Sequence, residues 1–205
     1  MDHKVQNVTQ LYDDSTTLEK DGCTSGSDTS ADGIINNLNL GIGNLKSCWE
    51  GKDAGKQIQN IVEVYNAMVN IRNVLAKLAA DASGIASNYR EIQNANGAGL
   101  ESFEPLTADE KTTIPDYSDD RDTISITPEA NTGKEKIDLA NQSIDEFIST
   151  VQTCYDNIMN NWQTGTGREQ AQSAFEDFIA NSQSYKTKLQ EASESISNAI
   201  KNYSF

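Results

Sequence analysis

The chain has 205 residues, of which 36% are hydrophobic, and its 31 acidic residues outnumber its 16 basic ones to give a net charge of −15. Nucleic acids and anionic membrane surfaces both recruit clustered Lys and Arg, so this balance argues against binding to either. The modest apolar content and only three prolines favour narrow apolar stripes on helices, and we expect an all-α fold.

The first thirty residues carry the weakest structural signal. Residues 5–20 are compatible with a short helix, but the sequence GCTSGSDTS interrupts the pattern at residues 22–30. The opening MDHKVQNVTQLYDD lacks a basic region followed by an apolar one, so no secretory signal peptide is expected. No apolar run approaches the length of a membrane-spanning helix. Residues 1–30 are therefore left as a segment of uncertain structure.

Residues 31–96 predict a helical hairpin that turns at the first tryptophan, Trp49. Apolar residues recur at steps of three or four both before and after it, which is the period of one helix face. Gly51 tolerates a positive φ and can end the first helix. The apolar residues before the turn are Ile34, Ile35, Leu38, Ile42 and Leu45. Those after it are Ile58, Ile61, Tyr65, Met68, Ile71, Leu75, Leu78, Ala82, Ile85 and Tyr89.

Residues 97–128 predict a linker. This stretch holds all three prolines, many Asp and Thr residues, and no helical stripe. Pro128 suits the first turn of a following helix, because its ring fixes a helical φ and no needed N–H is lost.

Residues 129–205 predict a second hairpin, which turns at Trp162. Here Gly165 and Gly167 can supply the backbone freedom that Gly51 gives the first turn. The apolar residues before Trp162 are Phe147, Ile148, Val151, Tyr155 and Ile158. The stripe after it is Phe175, Phe178, Ser182, Tyr185, Leu189, Ala192, Ile196, Ile200 and Tyr203.

The two hairpins predict an internal duplication. Their first helices superimpose at an offset of 113 positions, which also aligns Trp49 with Trp162. Their second helices superimpose at an offset of 114, so one residue is inserted at the second turn. Chance alignment of two amphipathic helices is the alternative. The role expected of each Trp is structural, since a large ring fills the gap where two antiparallel helices diverge.

Little in the chain suggests catalysis, and we expect no enzyme and no cofactor. The only histidine is His3, so the chain does not have the residues for a catalytic triad at a central histidine or for a metal site with several histidines. The sequence GTGREQ has no preceding strand and no P-loop Lys, which favours a turn over phosphate binding. Asp116, Asp119, Asp120 and Asp122 could gather a calcium ion, but solvated loop charge is the preferred interpretation. Cys23, Cys48 and Cys154 are too few and too scattered for a disulfide framework and are expected to be free thiols.

The tripeptide Trp49-Glu50-Gly51 between two long helices, in a unit of about a hundred residues, resembles the WXG (ESAT-like) family of type VII secretion. Tyr89 lies where family members often carry a tyrosine, and ISITPEA at residues 124–130 is similar to the start of many members. The second turn departs from the motif, because Gln163 and Thr164 separate Trp162 from Gly165. The resemblance covers the chain except residues 1–30 and the linker.

The resemblance implies two hairpins packed head to tail as an antiparallel four-helix bundle, a covalent pseudo-dimer. The linker is long enough for this arrangement, since about 30 residues can cross the ~50–60 Å length of a hairpin. It further implies a non-enzymatic protein of a Gram-positive bacterium that resides in the cytoplasm before export by a signal-peptide-independent route. Its expected partners are a type VII secretion ATPase or a helical toxin.

Two roles stay open within that family, a secreted substrate and an adaptor or chaperone for a partner effector. A structural helical-bundle interaction protein unrelated to secretion is the alternative. Tyr89 and Tyr203 mark a possible partner or export surface. Family substrates commonly carry an acidic residue four positions after such a tyrosine, and none of the seven tyrosines here has one. Tyr89 comes nearest, with Gln93 at that position and Glu91 two residues early, on another side of the helix.

Overall fold

The computed structural model describes residues 4–203, which are mostly helical, so the expected all-α class is confirmed. Two very short strands form the one sheet in these residues. The elements in chain order are α1 (Val8–Thr17), a π-helical segment (Leu18–Thr24), α2 (Ala31–Cys48), β1 (Trp49–Glu50), α3 (Lys52–Ala95), β2 (Ser125–Ile126), α4 (Ala130–Asn161) and α5 (Thr166–Tyr203).

Helix α3 is the longest element and matches the predicted stripe closely. It has 44 residues, which corresponds to about 66 Å of helix. The stripe residues Ile58, Ile61, Met68 and Leu75 are fully buried, as the period of one helix face requires. Helices α1, α2 and α5 and the π-helical segment pack along this helix, whereas α4 packs on α1, α2 and α5.

The N-terminal segment and α2 run as an interrupted helix antiparallel to α3. Thr9 in α1 accepts a hydrogen bond from Arg90 near the end of α3, at 2.7 Å. Asp32 at the start of α2 is paired with Arg72 in the middle of α3, at 3.0 Å. The interruption ends at Ser30, whose hydroxyl caps α2 by accepting from the amide N–H of Gly33. Residues 8–24, which the sequence left uncertain, are thus helical and contribute buried residues to the core.

Helix α4 packs antiparallel to α1 and α2. Asn44, near the end of α2, accepts from the amide N–H of Gly133 at the start of α4. Asp14 in α1 accepts from Asn157 near the end of α4. The helices approach closely at Gly41, where a Cβ atom would lie 2.9 Å from Ile137 Cγ1. Small residues at this crossing allow the two backbones to come together.

Helix α5 packs antiparallel to α3 and also contacts α4. Lys188 pairs with Glu63 near the start of α3, whereas Gly167 at the start of α5 lies beside Asp81. Phe175 and Phe178 turn towards α4 and contact the rings of Tyr155 and Phe147. Buried residues from α1 to α5 form one hydrophobic core.

Residues 98–124, which we call the strap, contain no helix or strand and run back along α3 from its end to its beginning. Successive hydrogen bonds show this course. Leu100 is bonded to Asn94, Ile114 to Asn66, and Asp119 to Gly51 at the start of α3. The predicted linker therefore crosses the full length of α3. The two tryptophans consequently lie at opposite ends of the molecule. Within residues 4–203, none of the helices combines the length and the apolarity that a membrane crossing requires.

Candidate functional site: two tryptophan turns and the strap

The first Trp turn, residues 49–51, joins α2 to α3. Trp49 is only 1% exposed and has an extended backbone, with φ −138° and ψ 127°. Its amide N–H still donates to Leu45 O, which completes the last turn of α2. The chain thus leaves the helix at a residue whose ring is buried in the core.

Gly51 is required at the first turn for two reasons. Its φ of 114° lies in a region that residues with a Cβ atom rarely adopt. A Cβ atom there would also lie 2.5 Å from Thr123 O in the strap. The glycine therefore permits both the sharp turn and the close approach of the strap.

Asp119 closes the first Trp turn from the strap. Its Oδ2 accepts from the amide N–H of Gly51 at 2.9 Å, next to the positive end of the α3 dipole. Arg121 donates to the same carboxylate through Nε at 2.8 Å and Nη2 at 2.7 Å, and its Nη1 lies 2.8 Å from Glu50 Oε1. Hydrogen bonds from Arg121 and then from Gly51 hold the pKa of the Asp119 carboxyl well below its usual range.

The predicted calcium candidates are spread over different partners. Asp116 accepts from Gln59, and Asp122 pairs with Lys52. The interpretation as solvated loop charge is wrong for Asp119, whose buried carboxylate accepts from four N–H donors, one of Gly51 and three of Arg121. Across residues 4–203, no group of three or more His, Cys, Asp and Glu side chains could hold a metal ion. His3 lies outside the described residues.

The second Trp turn, residues 162–165, joins α4 to α5. Trp162 is 3% exposed and, like Trp49, has an extended backbone while its amide N–H completes the preceding helix. Gly165 has a φ of 154°, and a Cβ atom there would lie 2.7 Å from Trp162 Cζ2. The glycine with positive φ therefore comes three residues after Trp162 but two residues after Trp49, as the one-residue insertion requires.

Each tryptophan forms an antiparallel backbone pairing with the segment that precedes a helix of the other half of the chain. Trp49 pairs with Ile126, just before α4, and Trp162 pairs with Val5, just before α1. The flanking hydrogen bonds correspond as well. Thr127 N donates to Cys48 O at 3.0 Å, and Gln6 N donates to Asn161 O at 3.1 Å. The two turns thus share these backbone contacts, although the second turn is one residue longer.

Side-chain amides on α3 hold the strap by its backbone. Asn66 donates to Ile114 O and accepts from Ile114 N, both at 2.9 Å. Asn73 forms the same pair of bonds with Lys111, and Asn94 forms it with Leu100. Gln59 accepts from Tyr117 N at 2.7 Å. We call Gln59, Asn66, Asn73 and Asn94 the amide ladder. The sequence signal that could have revealed it is their spacing in multiples of seven residues.

A charged contact strengthens the middle of the strap. The side chain of Arg72 is fully buried and bonds both Asp32 and Asp109, the latter at 2.7 Å from Nη2. Arg90 donates to Glu101 O and lies over the ring of Phe103, with 4.0 Å between its Cζ and the ring centroid. Both arginines thus join a helix to the strap.

The predicted partner or export surface falls at the ends of the two long helices. Tyr89 is half-buried near the end of α3 and makes contacts there. Tyr203 is 45% exposed at the end of α5. The structure therefore does not bring these tyrosines together, because α3 and α5 end at opposite ends of the molecule. Ile92, close to Tyr89, is 59% exposed.

The cysteines are free thiols in different surroundings. Cys23 is buried behind the middle of α3, and burial raises the pKa of its thiol to about 12. Burial also raises the pKa of the Cys48 and Cys154 thiols. Thiols of this kind are poor nucleophiles at neutral pH, so none of them suggests catalysis.

No protein-family model, curated protein sequence or solved structure matches this chain.

Proposed function

We propose that the chain is a tandem WXG-like protein of type VII secretion, a non-enzymatic helical binding module that escorts a partner. In this proposal α2 with α3, extended by α1, is one hairpin, and α4 with α5 is the other. The two pack head to tail as an antiparallel four-helix bundle, so that one chain forms the pseudo-dimer that two chains would otherwise form.

The observation that carries the proposal is the equivalent backbone pairing of the two tryptophans. Trp49 with Ile126 and Trp162 with Val5 make matching contacts at opposite ends of the molecule. Aligned positions are also buried on both sides, as at Leu45 with Ile158. A duplicated hairpin with approximate two-fold symmetry accounts for both facts, whereas chance similarity of two helices does not account for the pairings.

An escort role is favoured over autonomous export by the sequence around the terminal tyrosines. Tyr89 lies near the end of α3, but Gln93 stands where family substrates have an acidic residue, and Glu91 lies on another side of the helix. We propose that the chain stays in the cytoplasm until a partner, such as a helical toxin, completes the signal that the type VII ATPase reads.

Export can be tested by expressing the tagged chain in a type VII-competent host. We expect it to stay in the cells when expressed alone and to reach the medium only with its partner, measured against a cytoplasmic lysis marker. A host that lacks the secretion ATPase is the control. The Gln93→Glu variant should increase secretion of the chain alone. Abundant secretion of the unmodified chain without a partner would contradict the escort role.

The pseudo-dimer is tested separately by the oligomeric state. Because the second hairpin occupies the surface on which another chain would pack, we expect a monomer by light scattering across a wide concentration range. A dimer that persists at the lowest concentration would contradict the pseudo-dimer as the functional unit.

A further inference from the structure

The amide ladder recognises mainly the main chain of the strap, and Gln59 alone of its members also bonds a strap side chain, the Asp116 carboxylate. Asn66, Asn73 and Asn94 each satisfy the N–H and the C=O of a single strap residue, as a neighbouring strand would in a sheet. Contacts of this kind place few demands on which side chain the bound residue carries. These contacts do require that the bound residue has a backbone N–H and lies level with the ladder amide along the axis of α3.

The spacing of the ladder matches an extended polypeptide. Gln59, Asn66 and Asn73 are seven residues apart, which is about 10.5 Å along a helix. Their partners Tyr117, Ile114 and Lys111 are three residues apart, which is about 10 Å in an extended chain. Between Phe103 and Lys111 the strap has two residues more than the three-residue spacing requires, and this extra length lies around the contact of Asp109 with Arg72.

The residues that face α3 follow this three-residue period. Phe103 with Leu106, and Ile114 with Tyr117, are half-buried against the core, whereas most residues between them are exposed. Pro105 and Pro115, which have no N–H, occupy exposed positions between ladder contacts. The strap thus presents apolar residues three positions apart on both sides of the Asp109 contact and tolerates proline elsewhere.

We propose that this face of α3 is a binding site for extended polypeptide, with the strap as its resident ligand. The class of ligand is an extended segment with an acidic residue opposite Arg72, as Asp109 is in the strap, with apolar residues three positions apart and an N–H at each ladder position. The covalent connection raises the local concentration of the strap but does not create the affinity, so a separate segment of the same pattern binds when the site is empty. This inference does not depend on a role in secretion.

The test uses a full-length variant in which residues 98–118 are replaced by a Gly/Ser sequence of equal length. The probe is a fluorescent peptide of residues 98–118, and binding is followed by anisotropy. We expect saturable binding that the added substitution Asn66→Ala weakens by about tenfold, since two hydrogen bonds are lost. Asn70→Ala is the matched control, because Asn70 lines the same groove beside Asn66 but is exposed and forms no hydrogen bond with the strap. A peptide with Ile114 and Tyr117 each moved by one position should bind far more weakly.

A folded variant, with an intact cooperative melt, that does not bind the peptide would overturn the proposal, as would equal binding of the shifted peptide. If the replaced chain does not fold, amide hydrogen exchange in the otherwise unmodified chain decides. Protection of the Ile114 amide that Asn66→Ala reduces at least about tenfold, and Asn70→Ala leaves intact, supports the site. Exchange of the Ile114 amide at the unprotected rate in the parent chain overturns it.

Discussion

The amide N–H of Gly51 donates to the carboxylate of Asp119, which lies 68 positions later in the chain, at 2.9 Å. This bond joins the first Trp turn to the end of the strap. The N-cap residue of α3 is Gly51, which has no side chain to cap the helix, and the Asp119 carboxylate binds the helix start instead. Asp119→Asn should therefore destabilise the protein at neutral pH. Asp120→Asn is the matched control, because the neighbouring Asp120 is exposed.

The Asp119 contribution should depend on pH in a defined direction. Because the folded state lowers the pKa of this carboxyl, its stabilisation is fully present above the unfolded value of about 4 and declines as the pH falls below that value. Urea unfolding should show a constant difference between the parent and Asp119→Asn from about pH 5 to 8, and a smaller one near pH 3. A difference that grows on acidification would contradict the assigned contact.

Truncating either tryptophan should cost folding stability. Trp49 and Trp162 are 1% and 3% exposed. Replacement by Ala should lower the free energy of unfolding by about 3 kcal/mol in each case. The variant loses the burial of the indole ring and leaves a cavity at the turn. Leu40→Ala, at a 47% exposed position on α2, should change it little. Unchanged melting of both Trp variants would mean that the rings do not stabilise the turns.

Two glycines of α3 should respond in opposite ways to substitution by Ala. At Gly84 a Cβ atom meets nothing within 4 Å, so Ala should stabilise the helix by about 0.5–1 kcal/mol. At Gly55 it would lie 2.6 Å from the backbone N of Asp119, so Ala should destabilise by about 1–3 kcal/mol. Chemical denaturation of both variants measures the contrast. Equal effects would show that the strap does not approach α3 at this point.

The thiols should remain unpaired and differ in their rate of alkylation. The backbone O of Cys48 accepts from the amide N–H of Thr127, so Cys48 lies beside the start of α4. Cys154 lies near the other end of α4, about 36 Å away by helix rise. A disulfide spans less than about 7 Å between Cα atoms, so none should form between them. Mass mapping after brief alkylation should find Cys48, the least buried, modified first and Cys23 last. A bond between Cys48 and Cys154 would require a different packing of α4.

The helices were accessible to prediction because their apolar stripes are long. The stripe from Ile58 to Tyr89 predicted the second helix of the hairpin at residues 31–96, and the observed helix is Lys52–Ala95. The buried Trp49 and the positive φ of Gly51 also followed from the sequence of the turn. Local periodicity and the special conformations of glycine carry this information without knowledge of distant residues.

A linker was predicted at residues 97–128, but its packing against α3 was not, for a physical reason. Its apolar residues form short runs three positions apart, such as Ile114 and Tyr117, and these runs match neither the helical nor the strand period. The amides that bind it, such as Asn66, resemble ordinary solvated helix surface until the strap covers them. The burial of Asp119 likewise depends on a partner 68 positions away. Contacts between distant segments leave only weak local signals.

The amide ladder also bears on how the molecule finds its native state. Trp49 and Ile126 are 77 positions apart, and closing a flexible loop of that length in one step carries an entropy cost of about 4 kcal/mol. Asn94 binds Leu100, which is only six positions later in the chain. Each later contact of the strap then closes a loop of only a few additional strap residues. A distant pairing is thereby divided into a sequence of near ones, which lowers the effective contact order. We expect folding to proceed along α3 from Asn94 towards Gln59, with φ-values high at Asn94 and low at Gln59.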